Sequence, residues 1–395
     1  MNFLGHEYYK LNRRLLLLVG LWPYEHSVFK YCQMILCNII VIMTTVCQIA
    51  KLIELRQDVN LVMKLLSPIV LYVVYIIKYQ TFCIVAKKIR HLMKHIEEDW
   101  NMLKDKKELE IIGRYTYIGS VCTLCLTILG SLGTLTCFFL PFAPSILDIF
   151  MPLNVSRPRQ LLFPGEYFVD QEKYFYAIWL HLDITLSLVV TTLIGTESLY
   201  IIYIQHVCGM FQVASYRLYQ AFDKKVLQAY APEKRAIIVY RKIIEAIYIH
   251  NRTIEFFEFL WSTLMVSYSI LLTIGITSLV MNLFCLFYEA LFIKQINEIM
   301  RLLIFIVGQV FYFFLGNLIG QIVIDHSTGI FQKTYITRWH SAPVRAQKLL
   351  PFIMQRSMKS CKMDMGGIFV SSFEGFASLM STTLSYFTVL WSVHK

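Results

Sequence analysis

The sequence predicts an all-α polytopic membrane protein with seven transmembrane helices, N-terminus cytoplasmic and C-terminus extracellular. Three observations carry this. The first is composition: 57% of the 395 residues are hydrophobic, 16% are charged and mean hydropathy is +0.56. A soluble globular chain carries about 25% charged residues. The second is a set of seven apolar stretches, each near the roughly 20 residues a helix needs to cross a bilayer. The third is where Lys and Arg fall. With the stretches taken as spans, 27 of the 37 lie on one side, nine on the other and Lys78 inside a span. Positive residues stay cytoplasmic, so the net charge of +11 reflects topology and calls for no nucleic-acid partner.

The elements follow in order. Residues 15–23, LLLLVGLWP, stand after Arg13 and Arg14 like a signal peptide, but the apolar run is short and no small-residue cleavage site follows. They read as an uncleaved interfacial or re-entrant piece. The first two spans are 31–50 and 65–86. The charged stretch 87–114 reads as a solvated cytoplasmic extension of its neighbours. Lys78, in span two, is expected to snorkel to the cytoplasmic side. Span three is 117–140. The loop 141–173 holds five of the ten prolines, which excludes continuous helix. It also carries the sequon Asn154-Val155-Ser156, placed outside by the charge count and so a glycosylation candidate. A second sequon at Asn251 falls inside, where it would go unused. Spans four, five and six are 176–203, 259–284 and 302–324. Gly316 and Gly320 in span six form a GxxxG pair, read as close helix packing.

The seventh span, 367–392, carries a pattern. Ser371, Gly375, Ser378, Thr382, Ser385, Val389 and Ser392 recur at spacings of four and three, one stripe of a helix. Phe373, Leu379, Leu384, Phe387 and Leu390 fall mostly off it. The stripe is open to two readings. Small residues let membrane helices approach closely; hydroxyls can also line a water-filled pore.

No catalytic motif is present: no HExxH, GxSxG, Walker loop or GxGxxG, and the ten histidines do not form a cluster of ligands. The sequence points away from an enzyme and calls for no cofactor and no metal. The ten cysteines lie mostly in apolar stretches and read as small apolar filler. A Cys137–Cys285 disulfide is open if both lie near the outer surface.

The order of motifs resembles the insect odorant receptor family over the whole chain. Val19-Gly20-Leu21-Trp22-Pro23 resembles the family's Gly-Leu-Trp-Pro. Phe311-Tyr312-Phe313-Phe314-Leu315-Gly316-Asn317 is similar to its aromatic run ending in Gly-Asn. The segment from Leu350-Pro351 to Arg356-Ser357 resembles its Met-x-Arg-Ser/Ala segment. Phe376-Ala377-Ser378 and Ser385-Tyr386-Phe387-Thr388-Val389-Leu390 resemble its C-terminal signature. Trp339-His340 departs from the usual Trp-Tyr. The connection 206–258 lacks the long insertion of the family's co-receptor, so the resemblance is to a tuning subunit. The related gustatory receptors end in a Thr-Tyr…Gln-Phe signature that this chain lacks. A G-protein-coupled receptor has the opposite orientation, and a transporter should show inverted repeats with matched broken helices.

The resemblance implies a poorly selective, ligand-gated cation channel at the plasma membrane, built as a heterotetramer with the odorant co-receptor. It divides the chain into a six-helix ligand-binding bundle with cytoplasmic extensions (1–366), including a cytoplasmic loop of the inter-subunit anchor (325–366), and a pore-lining seventh helix (367–395). Ser385 and Ser392 would face the conduction path, and Val389 and Val393 would form an apolar gate that closes by dewetting. The ligand is a small volatile compound, which calls for an apolar enclosed pocket in the outer half of the bundle. Candidates that share helix faces are Tyr72, Tyr75 and Tyr79 in span two; Thr134 in span three; Trp179, Asp183 and Ser187 in span four; and Gln309 and Tyr312 in span six. Ordinary packing is the competing reading for each. Asp183 stands out because an acid within a span costs roughly 2.5–3.5 kcal/mol at the membrane centre.

Overall fold

The computed structural model describes residues 7–55, 59–142, 161, 163, 165–223, 231–294 and 296–394. Its helices are α1 (Lys10–Leu18), α2 (Val28–Glu54), α3 (Val59–Ile84), α4 (Ala86–Met102), α5 (Lys106–Phe139), α6 (Phe175–Ala221), α7 (Pro232–Tyr288), α8 (Ile296–Ile336), α9 (Val344–Gln347), α10 (Leu350–Met358) and α11 (Phe373–His394). Among the described residues, seven helices are long and apolar enough to cross a membrane: α2, α3, α5, α6, α7, α8 and α11. Asn154 lies outside the described residues.

The helices outrun their spans. At about 1.5 Å per residue, the 47 residues of α6 reach about 70 Å and the 57 of α7 about 85 Å, against roughly 30 Å of hydrocarbon. Their excess packs together beyond the membrane. α6 is the central post: it contacts α1, α2, α3, α5, α7 and α8. Its C-terminal part is buried almost all round, from Leu199 through Val207 and Phe211 to Leu218, as a helix enclosed by others must be. The C-terminal half of α5 instead exposes Leu124, Ile128, Leu129, Leu132 and Leu135, an apolar surface suited to lipid.

The N-terminal piece is locked by its own chemistry. α1 ends in a Schellman motif: Gly20 at φ +71° donates its N–H to Leu17 O (3.1 Å), and Leu21 donates to Leu16 O (2.8 Å). Lys30 Nζ donates to Trp22 O at 2.7 Å, and Tyr79 OH to Val19 O at 2.7 Å. Asn12, 1% exposed, ties α1 to α6 through Gly195 O and Ser198 Oγ. The Gly-Leu-Trp-Pro run is therefore a helix stop clamped by two side chains.

The stretch expected as a solvated extension is two packed elements. α4 buries Ile89, Leu92, Met93 and Ile96, the spacing of one helical face. The chain turns at 103–105, where Asp105 caps α5 by accepting from Lys107 N (3.0 Å). Glu108 in its first turn holds Arg217 in a two-pronged pair (2.6 and 2.9 Å). Asp99, 2% exposed, accepts from His206 Nε2 (2.9 Å) and from Arg252 Nε. Burial alone would raise its carboxyl pKa. The hydrogen bond from His206, the nearby His95 ring at 3.6 Å and the Arg252 guanidinium outweigh that and hold it below the usual carboxylate range.

The seventh span does not begin at Gly367. Asp364–Met365 (β1) and Phe369–Val370 (β2) pair antiparallel, Asp364 opposite Val370 and Met365 opposite Phe369. Gly366 and Gly367, at φ +68° and +76°, make the turn, a conformation no right-handed helix contains. The helix starts at Phe373, capped by Ser372 Oγ accepting from Gly375 N (3.0 Å). Ser371 is thus outside the helical stripe. Of the GxxxG pair, only Gly320 is at a close contact: a Cβ there would lie 2.1 Å from Ser371 O, whereas one at Gly316 would meet nothing within 4 Å. Cys137 is a free thiol, so the disulfide with Cys285 does not form.

Candidate functional site

The three span-two tyrosines do share one face of α3, and each is fully buried in the main core. Their hydroxyls differ in use. Tyr79 is committed to Val19 O. Tyr72 OH is buried with no hydrogen-bond partner among the described residues, and Tyr75 OH faces Thr192 of α6 without making a hydrogen bond of good geometry. The Tyr72 ring meets Phe163 edge-on (6.5 Å), and Phe163 lies 6.5 Å from Phe305 of α8. Gln48 of α2, 1% exposed, has both amide atoms unpartnered. Nearby on α2 and α6, Thr44 and Thr185 hydroxyls bond at 2.9 Å, and His181 Nδ1 lies 3.1 Å from Tyr167 OH. Aromatic walls with unspent polar atoms are what a small, mostly apolar ligand needs for shape and orientation.

The span-three and span-four candidates form a separate group. Trp179 donates its indole N–H to Phe138 O (3.2 Å), and its ring packs between Phe138 (4.5 Å) and Phe142 (5.0 Å). Thr134 donates to its own helix, at Gly130 O and Ser131 O. Asp183 and Ser187 are half-buried on the same flank of α6 as Trp179. Trp179 thereby lies in the α5–α6 seam. In the α7–α8 seam, Gln309 donates to Ser278 Oγ (2.8 Å) and accepts from Asn282 Nδ2 (2.9 Å).

Lys78 does not snorkel. It is 4% exposed and forms an ion pair with Glu197 of α6. The same carboxylate accepts from Tyr312 OH of α8 (2.7 Å) and Tyr268 OH of α7 (2.9 Å). Lys78 Nζ also sits 4.5 Å from the centre of the Tyr268 ring. Sequence reading singled out Asp183 and passed over Glu197 in the same span. The signal was present: a lysine inside a span requires an anionic partner, and Glu197 is the acid of span four closer to the charged end.

On α11, Leu379, Thr383 and Phe387 are the buried side chains and pack on the bundle. Phe387 meets Phe287 of α7 at 4.8 Å, and Trp391 meets Phe284 at 5.6 Å. Ser385, Val389, Ser392 and Val393 fall on the opposite face and are exposed, Val389 60% and Val393 81%. Ser385 and Ser392 donate to Ser381 O and Val389 O of their own helix. The small-residue stripe is thus exposed from Ser378 to Ser392, whereas its N-terminal members pack within this chain, Ser371 against Gly320 and Gly375 against Val370 O and Asn317.

Comparison with known proteins agrees with this architecture. A family model described as 7tm Odorant receptor matches residues 58–384. The odorant receptor coreceptor of Harpegnathos saltator is 24% identical over 128 residues, covering 31% of this chain and 26% of that protein. The olfactory receptor OR5 of Machilis hrabei, solved in complex with eugenol, aligns with a TM-score of 0.74 at 14% identity, over 98% of this chain and 100% of its own. A second OR5 structure gives a TM-score of 0.73 at the same identity and coverage. Identity that low speaks for the fold alone. The family model spans most of the chain, and on that ground this multi-pass membrane protein belongs to the odorant receptor family.

Proposed function

We propose that the chain is the tuning subunit of an odorant-gated, poorly selective cation channel in the plasma membrane of olfactory neurons. In this reading the N-terminus is cytoplasmic, the partner is the odorant co-receptor in a heterotetramer, and α11 lines the pore. The observation that carries it is the α11 stripe. From Ser378 onward its small and hydroxyl-bearing face points away from the chain's own bundle, so in this reading its complement comes from other subunits around a shared axis. Val389 and Val393 then supply an apolar ring able to exclude water.

The ligand site in this reading lies among α3, α6, α8 and the side chains of Phe163 and Tyr167, with Tyr72 as its orienting hydroxyl. The buried, unpartnered Tyr72 OH supports that, since a buried donor gains most from a ligand acceptor. Thr134, Trp179, Asp183 and Ser187 would then act on ligand through the α5–α6 seam, and Gln309 by fixing α8 against α7. Eugenol, seen with OR5, belongs to the class of small aromatic compounds such a site accommodates.

The test is current recording from cells expressing this chain with and without the co-receptor, across a volatile panel that includes eugenol. Odorant-evoked cation current only in the co-expressing cells is expected. A response that requires a G protein would overturn the channel reading. Tyr72→Phe should weaken potency for ligands bearing a hydrogen-bond acceptor about five- to tenfold, since one hydrogen bond contributes about 1 kcal/mol. Pure hydrocarbons should be unaffected.

A further inference from the structure

We propose that Glu197 is a positioning residue that transmits ligand occupancy to the first turn of α11, through Tyr268, Tyr200 and Tyr312. The inference rests on reading α11 as the pore helix. Four helices converge on this one carboxylate: it sits on α6 and takes Lys78 from α3, Tyr268 from α7 and Tyr312 from α8. An ion pair alone would satisfy the charges. The two phenols add links whose geometry depends on where α7 and α8 stand.

Two routes lead on to α11. In the first, the Tyr268 ring lies 5.2 Å from Tyr200 and 6.3 Å from Trp261. Tyr200 OH donates to Met363 Sδ (2.8 Å), and Trp261 Nε1 donates to Asp364 O (2.8 Å). Met363 and Asp364 lead into the hairpin, and Met363 O accepts from Ser371 N (3.1 Å) one residue before the cap of α11. In the second, α8 carries Tyr312 and, farther along, Asn317 and Gln321. Asn317 Oδ1 accepts from Ser372 N (3.1 Å) and Gln321 Oε1 from Phe373 N (3.3 Å). Both supports of the first turn of α11 thus trace back to groups held by Glu197. Tyr312 is the entry point: the residue is 46% exposed while its hydroxyl is held by Glu197. A ligand that turns the ring must move the hydroxyl or break its bond, and the carboxylate then re-partners. Coupling through packed and hydrogen-bonded groups is a matter of measured energies, and a mutant cycle supplies them.

The experiment is a cycle of Tyr312→Phe, Tyr200→Phe and the double variant, in cells co-expressing the co-receptor. Each change removes one hydroxyl and keeps the ring, one at each end of the route. The wild-type odorant current tests the channel reading by itself, and the cycle is read against that current. Each single variant should raise the odorant EC50 at least threefold at unchanged surface density, with responses to a direct agonist of the co-receptor intact. The double variant should shift EC50 no further than the larger single. Additive shifts, no shifts, equal loss of both agonist responses, or loss of surface density in either single variant would each overturn the proposal.

Discussion

Lys78 and Glu197 show how much one charge pair asks of its surroundings. Neither ion could be tolerated alone in a span, and together they are stable because Tyr268 and Tyr312 occupy the remaining lone pairs of the carboxylate. Lys78→Met should therefore destabilise the protein by about 3–5 kcal/mol, because it strands a buried carboxylate, while Lys78→Met with Glu197→Met should recover most of that. Thermal stability of the purified protein in detergent checks both. Asp99 makes the parallel case beyond the membrane. Its carboxyl titrates below the unfolded value near 3.9, so its contribution is fully present above about pH 4 and is lost only as pH falls below that. Stability measured from pH 8 to pH 5 should show no loss traceable to Asp99, and Asp99→Asn should flatten only the acid limb below pH 4. A loss between pH 8 and 5 that Asp99→Asn abolishes would contradict this assignment. The sequence makes half of these pairs readable. Lys78 is conspicuous inside an apolar run, but its partner lies 119 residues away, and no local spacing connects them.

Among elements, helices were legible and their neighbours were not. Tyr72, Tyr75 and Tyr79 share a face because helical geometry puts them there, whatever surrounds α3. The group of Thr134, Trp179, Asp183 and Ser187 was also internally consistent. Periodicity specifies a face and not the helix that meets it, so the packing of Trp179 between Phe138 and Phe142 was not readable. The start of α11 was misplaced for a local reason. Hydropathy runs on through residues 367–372, while the adjacent positive-φ glycines and the Ser372 cap end that continuity. The α8–hairpin contact gives a paired prediction. Gly320→Ala would drive a Cβ into Ser371 O and should cost about 1–3 kcal/mol by overpacking, lowering surface density or displacing α11. Gly316→Ala meets open space and should be neutral or stabilising by up to about 1 kcal/mol, since Ala is the better helix former. Surface labelling with odorant current distinguishes them. Equal effects at both positions would show that the GxxxG pair packs as a unit.

At the scale of the whole molecule, the bundle exposes two kinds of surface, and in the proposed channel only one of them meets another subunit. The C-terminal half of α5 is continuous bulky hydrocarbon suited to lipid. α11 presents valine and serine opposite a face bolted to α7 by Phe387 and Trp391. That asymmetry allows gating and folding to be separated by mutation. Val389→Ser replaces the methyl pair by a smaller, hydroxyl-bearing side chain, so a constriction closed by dewetting should both widen and wet more readily. With about 1 kcal/mol of hydrophobic closure lost per substituted side chain, the closed-to-open ratio falls about fivefold per copy. Basal current in the heteromer should rise, or ion permeability change, without the shift in odorant potency that Tyr72→Phe produces. In the proposed heteromer the co-receptor's own side chains in the same ring would limit the size of the effect. Phe387→Ala sits on the bolted face and should act through stability, costing about 3–5 kcal/mol and reducing surface density. Leu384, 55% exposed on the flank between the two faces, provides the remaining control: Leu384→Ser should leave conduction as it is. If Leu384→Ser raises basal current at normal surface density and Val389→Ser does not, the pore lies on the other flank of α11 and the stripe is a contact between subunits.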